Sequence, residues 1–138
     1  MVDLDLLRQE SPFKMGAKNE AYQTVFTGQS YLEMLAQAPD GQVAVANVTF
    51  EPGCRNHWHV HVDGYQILLV IGGTGWYQEE GKPARLLTAG DVVVTEKGIK
   101  HWHGATKDSW FEHIAITSGK SEFYDAVSDD EYAKLDEG

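Results

Sequence analysis

The sequence predicts an all-β sandwich or barrel, and three features carry that expectation. Short runs rich in β-branched and aromatic residues recur between Tyr22 and Thr117, at the roughly ten-residue spacing of antiparallel β architectures. Glycine, proline and aspartate turn signals separate these runs. No segment between them has the apolar 3.6-residue period of a crossover helix, which argues against a parallel α/β sheet.

Residues 1–20 are mixed and polar, broken by Ser11-Pro12 and Gly16, and read as an arm able to pack on a partner subunit. Residues 21–118 form the expected β domain. Its first runs are 21-AYQTVFTGQSYLEML-35 and 43-VAVANVTF-50, divided by Gly28 and by Pro39-Asp40-Gly41. Then come 65-YQILLVI-71, 75-GWYQ-78 after Gly72-Gly73, and 84-ARLLT-88 after the Glu80-Gly81 turn. The strands 91-DVVVTE-96, 101-HWHGAT-106 and 110-WFEHIAIT-117 complete the set. Residues 119–138 read as an exit segment with one short helix, because Ser128 followed by Glu131 is a capping box.

A chain of 138 residues suits one domain. Its 42% hydrophobic and 23% charged content is that of a globular protein, and no apolar run approaches the length of a membrane span. The first residues carry early acids and no basic n-region, so a cytoplasmic location is the expectation. The single cysteine, Cys54, cannot form an internal disulfide and is read as a small buried apolar residue. A formal charge of −10, with acids crowding the C-terminal end, repels phosphate backbones. Nucleic acid and membrane are therefore set aside, leaving a small molecule or a protein as partner. The apolar segment Tyr22–Leu35 is long enough to pair subunits, and a homodimer is expected.

All six histidines lie between positions 57 and 113, within the predicted β core. Side chains at every second strand position share a face, so His57, His59 and His61 project together, as do His101 and His103. Paired imidazoles of this kind can bring two nitrogens to one cation at about 2.0–2.1 Å, provided further ligands arrive from elsewhere, for which Gln66 and the second histidine strand are candidates. Both His57-x-His59 and His59-x-His61 satisfy the pair. On 110-WFEHIAIT-117, His113 shares its face with Phe111, Ala115 and Thr117. An unligated imidazole there, at its ordinary pKa of about 6.5, suits proton transfer near neutrality.

These motifs resemble those of the single-domain cupins, the conserved barrels of jelly-roll type. Gly53, His59, His61, Gln66 and Gly72 match the family's first motif, and Gly90, Gly98 and His101 its second. The resemblance spans roughly residues 40–118 and implies a jelly-roll β-barrel with N-terminal arm strands and a short C-terminal helix. Glu96 replaces the proline usual in the second motif, and Ala105 an asparagine found in many members. The stretches 48-VTFEPGCRNHWHVH-61, 98-GIKHWHGAT-106 and 112-EHIAI-116 are similar to bacterial manganese-dependent hydroxynitrile lyase-type cupins and to cupins associated with carboxymuconolactone decarboxylase.

That resemblance implies a metal site of His59, His61, Gln66 and His101, leaves His57 outside it, and places a catalytic base at His113, with His103 as a second candidate. The gap between His61 and Gln66 is one residue longer than in those lyases. Three imidazoles and a neutral amide leave a divalent cation its full charge. Manganese is the implied metal, and Fe, Ni, Zn or Cu would also suit this donor set. The implied activity is a metal-dependent lyase using the cation as Lewis acid and a nearby histidine as base. A non-haem metal dioxygenase or isomerase is the alternative enzyme, and a non-catalytic cupin that binds a small molecule or metal is the alternative outside enzymes.

Overall fold

The short β-rich runs become strands that sort into two sheets in a computed structural model, which describes residues 3–135. Along the chain come α1 (Leu4–Glu10), β1 (Ala17–Lys18), a 3-10 turn (Glu20–Val25), β2 (Phe26–Thr27), β3 (Ser30–Gln37) and β4 (Val43–Phe50). There follow β5 (Arg55–Asn56), β6 (His59–His61), β7 (Gln66–Gly73), β8 (Gly75–Glu79), β9 (Arg85–Leu87) and β10 (Val92–Thr95). The chain continues through β11 (His101–Ala105), β12 (Phe111–Ser118), β13 (Ser121–Phe123) and α2 (Asp129–Ala133).

One sheet has the order β1-β3-β4-β12-β7-β10, and the other runs β13-β6-β11-β5-β2 with β8 and β9 attached through β11. All identified pairs are antiparallel. The alternation of β10, exposed at Val92 and buried at Val93, is that of a strand with one face on the core. Between the sheets lies one apolar cluster drawn from both, including Val48, Phe50, Leu68, Tyr77, Ala105 and Phe111. Cys54 belongs to it, 1% exposed, and burial pushes its thiol up to about 12, so it packs as an apolar residue.

The strands expected at 43–50, 65–71, 75–78, 84–88, 91–96, 101–106 and 110–117 appear within two residues of those bounds, whereas β5 was not expected and His57, expected on the strand of His59 and His61, precedes it. Further differences lie at the ends. The run from Ala21 was expected to be extended, yet Glu20–Val25 forms a 3-10 turn. None of its residues is buried, so no core contact holds it extended, and its last carbonyl, of Val25, accepts from His57 N–H at 2.8 Å. The arm contains a two-turn helix, α1, capped by the Asp3 side chain accepting from Leu6 N–H. Only Leu7 of α1 is buried, which is why no apolar period announces it. At the other end, α2 has the expected capping box between Ser128 and Glu131.

The C-terminal segment is pinned from below. Arg55, 5% exposed, donates to the Val127 and Gly53 carbonyls and pairs with Asp129 at 2.8 Å. Its guanidinium lies 4.2 Å from the centre of the Tyr132 ring, and Tyr132 in turn donates to the Ala105 carbonyl. Trp76, Trp102 and Val127 form a second buried cluster under this segment.

Candidate metal centre

β6, β7 and β11 bring the four expected ligands together. His101 stands opposite His59 in the β11–β6 pairing, and the β6 alternation turns His59 and His61 to the same side. The Gly98 turn before β11, with φ 79°, holds a left-handed conformation that glycine adopts without strain. The rings form a triangle: centroids of His59 and His101 are 4.1 Å apart, and each lies 5.2 Å from His61. One ligand atom from each lies within 4.8 Å of the others, and all three side chains are buried.

The outer nitrogens of this triangle are tethered. His59 Nδ1–H donates to the His57 carbonyl at 2.8 Å, and His101 Nδ1–H donates to the Ile99 carbonyl at 2.9 Å. His61 Nδ1 meets Ser121 Oγ at 3.1 Å. A carbonyl can only accept, so Nδ1 of His59 and His101 carries the hydrogen and each Nε2 is a bare lone pair. Burial, with a smaller push from neighbouring histidines, lowers the pKa of His59 well below the ordinary value and of His101 to about 4. Burial lowers that of His61 as well. Neutral imidazoles are the form that binds metal.

Gln66 supplies the oxygen. Its amide nitrogen donates to Thr117 Oγ1 at 3.0 Å, which turns Oε1 toward His101 Nε2 at 3.5 Å. Both atoms are acceptors, and His61 Nε2 is buried without any hydrogen-bond partner. Lone pairs converging in a buried place are costly unless something positive joins them. The three histidines are therefore compatible with a divalent cation, and the Gln66 oxygen faces the same place. His57 stands outside β6, and its contribution is the carbonyl that orients His59.

His103 and His113 sit beside this group. The Asn56 side-chain oxygen accepts the His103 backbone N–H at 2.9 Å, fixing the strand where the ring turns inward. His103 Nε2 is 3.2 Å from Gln66 Oε1, and its Nδ1 is 3.2 Å from His113 Nε2. A continuous polar contact thus runs from Gln66 through His103 to His113. Neither ring has ordinary basicity: His113 is wholly buried and pushed down to about 3, and burial holds His103 well below its usual value, helped by the His113 charge. The expectation of an unperturbed imidazole at His113 is corrected on this point, because the ring lies against Phe50 and Phe111 rather than in solvent.

A cavity of about 500 Å³ opens over these groups. Phe26, Leu32, Val48 and Phe50 supply apolar wall, and the exposed Tyr22 and Met34 stand at its margin. Sequence reasoning missed Asn56, Thr117, Ser121 and Phe123, all of which line it. For Thr117 the signal was present, since it shares the face of His113 on β12. No local pattern marks Ser121 or Phe123, which belong to a three-residue strand lying beyond the expected limit of the β domain at residue 118.

Known proteins share the fold. The sequence profile described as Cupin domain matches residues 46–117. The (R)-mandelonitrile lyase of Granulicella tundricola is 44% identical over 114 residues, which are 79% of this chain and 86% of that protein. A crystal structure of a cupin-like protein from Thermotoga maritima superposes with TM-score 0.85 at 42% identity, covering 93% of this chain and 98% of the other. A predicted oxalate decarboxylase from the same organism, at 23% identity and TM-score 0.63 over 69% of this chain and 84% of its own, shares the fold.

Proposed function

The chain belongs to the cupin domain family, and from that premise we propose that it is a metal-dependent lyase that cleaves an α-hydroxynitrile to a carbonyl compound and hydrogen cyanide. The observation that carries this reading is the convergence of three tethered, neutral imidazoles and an amide oxygen beside a linked pair of unligated histidines. The relative named (R)-mandelonitrile lyase supports the reaction class. The apolar cavity wall supports a substrate with an aryl or branched alkyl group.

A divalent cation held by His59, His61, His101 and Gln66 would supply Lewis acidity that favours negative charge developing on a substrate oxygen. The remaining chemistry falls to the chain. Cleavage needs the hydroxyl proton removed as the carbon–carbon bond to cyanide breaks, the bonding pair leaving with cyanide. His113 accepts that proton, with His103 linking it to Gln66, and the proton is returned to cyanide so that no charge accumulates. Both imidazoles are neutral, and burial makes them weak bases that hold a proton only briefly before giving it up to the more basic cyanide. Phe26, Phe50 and their neighbours give the pocket an apolar wall.

Manganese is the proposed native metal, with Fe, Ni, Zn or Cu as occupants the same donors accept. A cytoplasmic homodimer acting on a small molecule is the proposed context. Exposed Tyr22, Met34, Val92 and Val94 support self-association. The test is elemental analysis of purified protein together with cyanide release from mandelonitrile, for the wild type and His113→Ala. The substitution is expected to keep the metal and lose turnover, and retained turnover would remove His113 from the mechanism.

A further inference from the structure

A second buried polar cluster lies on the opposite face of the six-stranded sheet, beneath α1. Glu112 is wholly buried there and accepts hydrogen bonds from Ser11 Oγ and Asn47 Nδ2, both at 2.7 Å. Asn47 Nδ2 also donates to the Lys14 carbonyl at 2.9 Å. Arg8 Nη1 stands 3.9 Å from Glu112, and Arg8 Nη2 donates to the Phe13 carbonyl at 2.6 Å. A few residues away, Leu7 covers Gly72 so closely that a Cβ on this glycine would meet Leu7 Cδ1 at 2.7 Å.

These contacts meet at an irregularity of the sheet. Glu112 pairs with Gly72, but the next residue of β12, His113, pairs with Val70, so one residue of β7 is left over. Such a bulge bends the strand and re-aims the side chains beside it. The arm grips both sides of it, Leu7 on Gly72 and Ser11 and Arg8 on Glu112. The side chain that follows Glu112 is His113, facing the cavity. Burying a carboxylate is costly, and apolar packing alone would hold an arm in place. Directional hydrogen bonds additionally fix the angle of the strand they hold.

We infer that the N-terminal arm is a positioning device for the proposed lyase reaction: through Leu7, Ser11 and Glu112 it sets the bulge that aims His113 into the cavity. The inference deepens the reading of His113 as the proton-transfer residue, on which it rests. Ser11 acts through Glu112 of β12 and Leu7 through Gly72 of β7, both on the far side of the sheet from the metal centre.

The experiment compares wild type with Ser11→Ala, Leu7→Ala and Ser11→Thr, the last of which keeps the hydroxyl. Metal content, kcat and KM for mandelonitrile are measured well below the melting temperature. Histidine ¹⁵N resonances are recorded on zinc-loaded protein, Zn²⁺ being diamagnetic. For the alanine variants we expect kcat to fall about tenfold, with KM and metal content unchanged and the His113 resonances moved more than those of His59, His61 and His101. Ser11→Thr is expected to restore both. Unmoved His113 resonances overturn the inference, as does loss of metal with a parallel change at every histidine, which marks general loosening. Absence of cyanide release in the wild type sinks the proposed lyase activity, while the His113 resonances still decide the role of the arm.

Discussion

At the scale of the residue, Gln66 would determine how much positive charge the proposed centre can present. A glutamate would cancel one unit and hold a cation harder, so Gln66→Glu is expected to retain metal against a chelator about tenfold better and to turn over more slowly. Chelator competition and steady-state rates check this, and faster turnover in the variant would contradict it. That Gln66 lies near His59, His61 and His101 was implied by the family resemblance of the motifs. That its oxygen is turned inward by Thr117, and touches His103, was not, because those contacts join residues far apart in the chain.

At the scale of the element, β13 and the Arg55 anchor carry the C-terminal segment. Ser121, opposite His61 in the β13–β6 pair, orients that imidazole through Nδ1. Ser121→Ala is expected to weaken metal binding by up to about tenfold with little change in melting temperature, as measured by calorimetric titration. Arg55→Met leaves the Val127 carbonyl without its buried donor. The expected loss is about 2 kcal/mol in urea denaturation. The sequence showed α2 through its capping box but not the anchor, because one arginine carries no local mark of the carbonyl it will reach. The helix α1 was missed for the same kind of reason: a single buried leucine creates no period.

At the scale of the molecule, burying histidines couples stability to pH. His59, His61, His101, His103 and His113 all have lowered folded-state pKa values, reaching about 4 at His101 and about 3 at His113. In the unfolded chain each titrates near 6.5. Above that value neither state holds these protons and stability is full. Below it the unfolded chain takes up protons that the native state refuses, so stability falls as pH drops from about 6.5 through the folded values. Denaturation of metal-free protein from pH 8 to 4 is expected to show this decline, beginning near the unfolded value in the absence of acidic partners. A flat profile would show that the rings are more hydrated than their burial indicates.

The sequence by itself determined the β class and most strand bounds between Val43 and Ser118, and its resemblance to a family implied which residues lie together at the centre. Period-two alternation and turn residues are local properties, and motif spacing records which strand ends must coincide. Only the tertiary structure decided the tautomers of His59 and His101, the low basicity of His113, the cavity walls and the grip of α1 on the bulge at Glu112. Each of these depends on what lies across a sheet or on its far side. Burial and hydrogen-bond direction are set by neighbours in space, and no order along the chain encodes them locally.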